Sequence, residues 1–220
     1  MLLQAAPLSD NEQQQGGAIL EQYLKASKAS QDAMRGMTMS VEMHATIPRL
    51  DREGGMKATR TVSATGEVSY SGMTFDGHDS IKRDVIARFL QADVEASKQA
   101  AIGITPANYR FKYWGLYGTG DWQLQLFELT PKRKVAGLFK GWIWVEAKTG
   151  LPVREEGRFV KNPSVFLKRW DFARDYDVRS GLSQLSYVSS TVMTRIVGEA
   201  NGTIHYDNYR PSTPVVASTQ

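Results

Sequence analysis

Apolar and polar positions alternate with period two along most of this chain, and the period lengthens to a helical one in only two places. Between residues 38 and 47, Met39, Val41, Met43, Ala45 and Ile47 fall on one face and Thr38, Ser40, Glu42, His44 and Thr46 on the other. That pattern predicts a strand buried on one side. Pro48 stops it, and Asp51-Arg52-Glu53-Gly54-Gly55 turns the chain into weaker strands over 56–63 and 66–75. Residues 108–161 read as four strands in succession. Tyr109, Phe111 and Tyr113 alternate with Arg110, Lys112 and Trp114; Trp122, Leu124 and Leu126 alternate with Gln123, Gln125 and Phe127; Trp142 and Trp144 interleave with Ile143 and Val145; residues 153–160 complete the run. Gly118-Thr119-Gly120, Pro131-Lys132-Arg133-Lys134 and Lys148-Thr149-Gly150 separate them, the punctuation of an antiparallel meander. A strand carrying Trp170 and Phe172 follows and Gly181 turns it; strands over 185–199 and 203–210 then close the chain, joined at Asn201-Gly202, a favoured hairpin dipeptide.

Helical spacing appears over 18–33, where Ile19, Leu20, Tyr23 and Leu24 form one stripe, and again at Ile81, Val85, Ile86, Phe89 and Leu90. Gly36 ends the first helix; Asp79 or Ser80 caps the second. Ser9 and Glu12 have the spacing of a capping box, in a Gln-rich opening stretch that reads as loose. The expectation is one α+β domain over residues 18–210, built from nine or ten antiparallel strands and two amphipathic helices. Residues 1–17 and 211–220 are read as flexible ends.

Two helices cover only part of so large a sheet. A curved sheet under a partial cover leaves an apolar hollow, the usual form of a small-molecule site. Its expected lining is Met39, Val41, Met43, Tyr70, Phe111, Trp122, Leu124, Leu126, Trp142 and Trp144, with Ile81, Val85 and Phe89 opposite them on the lid. Ile143 and Val145 are as hydrophobic as their tryptophan neighbours, so the pattern leaves open which face of that strand turns inward.

At 220 residues with 41% hydrophobic and 23% charged residues, the chain has enough apolar material for a substantial core. The net charge of +4 is spread along the chain, with Lys132-Arg133-Lys134 the one basic run. This is no nucleic-acid footprint, and it is compatible with passing contact with an anionic membrane surface. The absence of cysteine excludes disulfides, thiolate ligands, a cysteine nucleophile and a lipidated cysteine. No run reaches the ~18 apolar residues of a membrane span, and the first six residues do not make an intact signal peptide. Candidate acid–base or metal pairs reduce to His44 with Glu42 and His205 with Asp207. Both pairs have the same-face spacing of any solvated strand, and His78 falls in a turn. Glu155 and Glu156 are adjacent and point to opposite faces. Nothing here calls for a cofactor or a metal, or for an enzyme.

The segment Leu138-Phe139-Lys140-Gly141-Trp142-Ile143-Trp144-Val145-Glu146-Ala147-Lys148-Thr149-Gly150-Leu151-Pro152-Val153-Arg154 resembles the strand–turn–strand of the outer-membrane lipoprotein-sorting proteins, the LolA/LolB-like family. The order of elements over 18–210 is similar, and Arg195-Ile196-Val197-Gly198 through Tyr206 and Tyr209 fits the closing hairpin. The resemblance implies a LolA-like half-open β-barrel with helices as a lid. It further implies non-enzymatic binding and transport of lipid or lipoprotein acyl chains in the periplasm or cell envelope. The alternatives it leaves are an envelope sensor or protein-binding domain of the same fold, with an envelope protein as partner, or an enzyme on a β-scaffold. For the arginine that locks the lid in that family, Arg60, Arg83 and Arg88 compete.

Overall fold

A computed structural model describes residues 10–98, 103–120, 122–162 and 166–212. Ten strands form one antiparallel sheet: β1 (Met37–Ile47), β2 (Arg52–Val62), β3 (Val68–Gly77), β4 (Tyr109–Tyr117), β5 (Leu124–Pro131), β6 (Phe139–Glu146), β7 (Pro152–Phe159), β8 (Leu167–Arg179), β9 (Leu182–Thr194) and β10 (Glu199–Pro211). Their spatial order is β3-β2-β1-β10-β9-β8-β7-β6-β5-β4, so β3 and β4 are free edges and the sheet does not close. Helix α1 (Asp10–Ala33) precedes β1. Between β3 and β4, α2 (Asp79–Ile81) runs through a π-helical turn at Lys82–Ile86 into α3 (Ala87–Ser97). The α+β architecture expected from the sequence, a curved half-open sheet with a helical cover, is the one observed.

The sheet is strongly curled. Neighbouring strands lie about 4.8 Å apart, so β2 and β8 would be roughly 19 Å apart in a flat sheet. Yet Arg60 of β2 and Arg174 of β8 line one cavity of 250 Å³. A tight seam lies between β6 and β7, where Gly141 and Gly157 sit opposite each other. A Cβ on Gly141 would stand 1.9 Å from the Glu156 carbonyl oxygen. Only glycine permits that approach.

The core is divided. One part gathers Met39, Val41, Met43 and Ala45 of β1 with Met56 and Ile204, under Ile81 and Ile86 of the lid segment. The other gathers Tyr109, Phe127, Leu129, Phe139, Ile143, Val145 and Phe172 under Tyr23 of α1. Each helix therefore covers one half of the sheet. Ser30 pins the far end of α1: its Oγ accepts from the Ser183 amide at 2.9 Å and donates to the Ser183 carbonyl at 3.3 Å. The lid segment is tied down differently, through α3, as described below.

Three local expectations change. Helix α1 starts at Asp10 rather than Ala18, so part of the segment read as loose is helical; Ser9 lies outside the described residues. The lid helix is capped by His78, whose side chain accepts from the Ser80 amide, and not by Asp79 or Ser80. Asn201 and Gly202 lie inside β10, paired with Thr46 and Ala45 of β1. The last turn is four residues earlier, where the Thr194 amide donates to the Gly198 carbonyl and Gly198 takes a φ of 82°. The Asn201 side chain instead accepts from Thr191 Oγ1 across the sheet at 3.0 Å. Tertiary pairing on both sides of β10 outweighs the local turn preference.

Candidate functional site

Even-numbered residues of β8 point into the concave side: Trp170, Phe172, Arg174 and Tyr176 all line cavities there. On β7 the inward phase carries Glu155, beside the apolar Phe159. The register sets Glu155 directly opposite Arg174, and Arg174 Nη1 donates to Glu155 Oε2 at 3.1 Å. The Glu155 side chain is 7% exposed and that of Arg174 34%. The arginine's open surface faces the hollow, with its guanidinium 4.6 Å over the Phe172 ring. Glu156, one residue on, points outward and bonds Arg154 at 3.0 Å, so the adjacent carboxylates do face opposite ways.

A second ion pair joins sheet to lid. Arg60 of β2 reaches Asp93 of α3 at 2.9 Å, with side chains 18% and 25% exposed. Tyr70 of β3 donates its hydroxyl to the same carboxylate at 2.8 Å. Burial alone would lower the Arg60 pKa; the Asp93 carboxylate outweighs it and raises it. At the end of α3, Ser97 Oγ accepts from the Val68 amide at 3.0 Å. Of the three candidate lid arginines, Arg60 is the one that bonds the lid from the sheet; Arg83 pairs with its neighbour Asp84 on the exposed side of the π-helical turn.

These pairs divide the hollow into two chambers. One, of 220 Å³, lies beside α1 and is rich in hydroxyls: Tyr23, Ser27, Ser30, Ser183 and Tyr209 line it. The other, of 250 Å³, lies beside α3 between Phe89, Phe159, Phe172, Val188 and Ile204. Arg60, Tyr176, Leu185 and Tyr206 line both and form the neck between them. Burial holds the Tyr23, Tyr70, Tyr176 and Tyr209 phenols well above their ordinary range. They are therefore protonated donors at neutral pH.

The expected lining residues fall into three groups. Met39, Met43 and Phe89 do line the chambers, and Tyr70 holds the lid. Val41 and Ile81 are sealed in the core, with Val85 packed against that core and Phe111 against the other. Trp122, Leu124, Leu126, Trp142 and Trp144 are displaced from the hollow, which corrects the reading that placed them there. On β5 and β6 the buried phase is Gln125, Phe127, Leu129, Ile143 and Val145. The small β-branched residues pack inside, and the tryptophans lie on the convex face. There Trp142 packs edge-on to Trp114 at 5.3 Å, and the Lys112 ammonium sits 4.4 Å over the Trp114 ring. Arg154 lies 6.0 Å over Trp144. Cations shield these rings and make their outward position tolerable. Trp122 stands beyond the end of β4 and is 82% exposed. Replacing it by serine is expected to change stability by no more than about 0.5 kcal/mol. Loss of a solvent-exposed fluorescence component with unchanged thermal unfolding would bear this out.

The histidine pairs also lie on the convex face, in a broad open groove with Lys57 and Asn208. His44 stands 3.7 Å from Glu53 rather than meeting Glu42, and Glu42 is paired with Lys57 at 3.1 Å. His205 packs on Tyr187. Among the described residues, no group of three potential ligands could hold a metal. What the sequence reading missed is the charged neck. Its signal was a charge in the apolar phase of a strand: Arg174 between Phe172 and Tyr176, and Glu155 in step with Phe159.

No family model matches this sequence, and no curated protein matches it. Several solved structures are similar to it in overall arrangement. A DUF1329 family protein from Desulfovibrio piger is 11% identical, with 90% of this chain and 94% of that one covered and a TM-score of 0.48. A protein domain named for outer membrane lipoprotein sorting, from Vibrio parahaemolyticus, is 12% identical over 90% and 94% of the two chains, with a TM-score of 0.46. A LolA superfamily protein from Nitrosomonas europaea is 13% identical over 88% and 92%, with a TM-score of 0.41.

Proposed function

We propose that this protein is a non-enzymatic carrier that holds an acyl chain of a lipid or lipoprotein in the divided hollow, working in the bacterial cell envelope. The observation that carries the reading is the unfilled space itself. Two helices pack on the concave face, and chambers of 220 and 250 Å³ remain between them and the strands. Each alone is below the roughly 300 Å³ of a small ligand site, and the two joined through the neck fall within that range. Aromatic and aliphatic walls suit a methylene chain, whose burial contributes about 0.8 kcal/mol per CH₂. Met39 and Met43 can repack around chains of different shape.

Entry follows from how the cover is fastened. Helix α1 is pinned to β9 by Ser30, deep in the fold. The α3 segment is held at Asp93 and Ser97, and its π-helical turn at Lys82–Ile86 is a natural place to bend. The lid segment is thus the part that yields, with Arg60 as its latch. Native mass spectrometry of the purified protein, before and after delipidation, tests the function. A mass increment that yields an acyl lipid on extraction is the expected result. A ligand-free protein that also takes up no offered acyl chain would sink it.

A further inference from the structure

Two guanidinium groups and two carboxylates stand at the neck and on either side of it, Arg60 with Asp93 and Arg174 with Glu155. Its formal charge is therefore balanced. Its hydrogen-bonding capacity is not. Arg174 spends Nη1 on Glu155; no other acceptor among the described residues bonds its guanidinium, which lines the hollow and is a third exposed. The Tyr206 hydroxyl, close to Arg60, Arg174 and Asp93, likewise has no acceptor among the described residues. Burial, helped by Asp93, pushes its pKa up to about 12, so it too is a donor. A third of the Arg174 side chain is open to the hollow, so water can serve these donors in the free protein, and a ligand that displaces that water must supply acceptors in its place.

The partner must accept hydrogen bonds without bringing charge. A carboxylate would add an uncompensated negative charge beside Asp93 and Glu155, and an isolated charge in such a site is strongly disfavoured. A neutral carbonyl oxygen has no such penalty. It offers two lone pairs, which match two donors.

We propose that the neck is a recognition site for the neutral carbonyl of an acyl ester or amide, with Arg174 and Tyr206 as its donors. The acyl chain lies in the chamber of Phe89 and Ile204, and the polar portion of the ligand points into the hydroxyl-lined chamber beside α1. The proposal rests on the acyl-chain reading above and specifies the ligand class: acyl esters and amides are selected over ethers and over free fatty acids.

Three probes separate the possibilities: 1-monopalmitoylglycerol, 1-O-hexadecylglycerol and palmitate, titrated into delipidated protein at neutral pH below their micelle concentrations. The first two share a headgroup and differ at the carbonyl. The ester is expected to bind roughly tenfold tighter than the ether, the scale of a hydrogen bond from a charged donor, and tighter than palmitate. In the double variant Glu155→Leu/Arg174→Met, which leaves no orphan charge and keeps the Tyr206 donor, the ester's advantage over the ether should fall to about threefold or less. Equal ester and ether affinities in the wild type, tightest binding of palmitate, or an ester preference undiminished by the double substitution would each overturn the carbonyl site while leaving the acyl carrier standing. Failure of all three probes to bind would remove both.

Discussion

Replacing Glu155 alone by leucine is expected to cost about 3 kcal/mol of folding stability, the lower end of the range for removing one partner of a buried pair. The cost arises from what remains. Arg174 keeps its position between Phe172 and Tyr176 and loses the carboxylate opposite it on β7. The Tyr176 phenol loses the acceptor that Glu155 provides. A third of the arginine side chain faces the hollow, so water entering the chamber softens the loss, and the lower figure applies. The double variant with Arg174→Met removes the stranded charge and fills the space with apolar atoms. Its stability should return to within about 1 kcal/mol of the wild type. Urea unfolding midpoints measure both. Equal losses in the single and double variants would mean that packing, and not the unpaired guanidinium, sets the cost.

Asp93→Ala is expected to be nearly as severe, at about 2–3 kcal/mol, and different in kind. One side chain removed deletes two bonds, from Arg60 at 2.9 Å and from Tyr70 at 2.8 Å, and strands the guanidinium on the concave face. Both bonds cross from the sheet to α3, so the loss should be local. Amide exchange should accelerate across Ala87–Ser97 while β1, β9 and β10 keep their protection. On the proposed carrier reading, acyl-chain uptake should quicken, because the lid opens at a lower free-energy cost. If exchange in α3 is unchanged, Arg60 is not the latch.

How much of this was legible in the sequence depended on whether a strand has one wet face. Strand β1 does. Met39, Val41 and Met43 alternate with Ser40, Glu42 and His44, and the structure keeps that division. Strand β6 does not: Trp142, Ile143, Trp144 and Val145 are apolar without a break. Its orientation was set by partners remote in sequence, Lys112 and Trp114 outside and Phe127 inside, so size alone misled and the tryptophans were placed in the hollow. The Asn201-Gly202 pair shows the opposite failure, a strong local signal overruled by ladders on both sides of β10. The neck was the hardest part to see. Arg60 meets Asp93 from 33 residues away and Glu155 meets Arg174 from 19, separations that no local window spans. Yet both members of the second pair stand in the apolar phase of their strands.

In the proposed carrier, the free edges at β3 and β4 bear on cargo size. In a closed barrel the bore is fixed by strand number and stagger, and widening it means breaking ladder hydrogen bonds. Here the ladder runs from β3 to β4 without returning on itself. The sheet can uncurl a little, like a hand relaxing its grip, with every strand pairing intact. The resistance to that motion is concentrated in the contacts that span the hollow, above all the lid's hold on Arg60. In a carrier built this way, the latch that governs admission also bears on girth, and a thicker or doubled chain meets a compliant wall in place of a rigid bore.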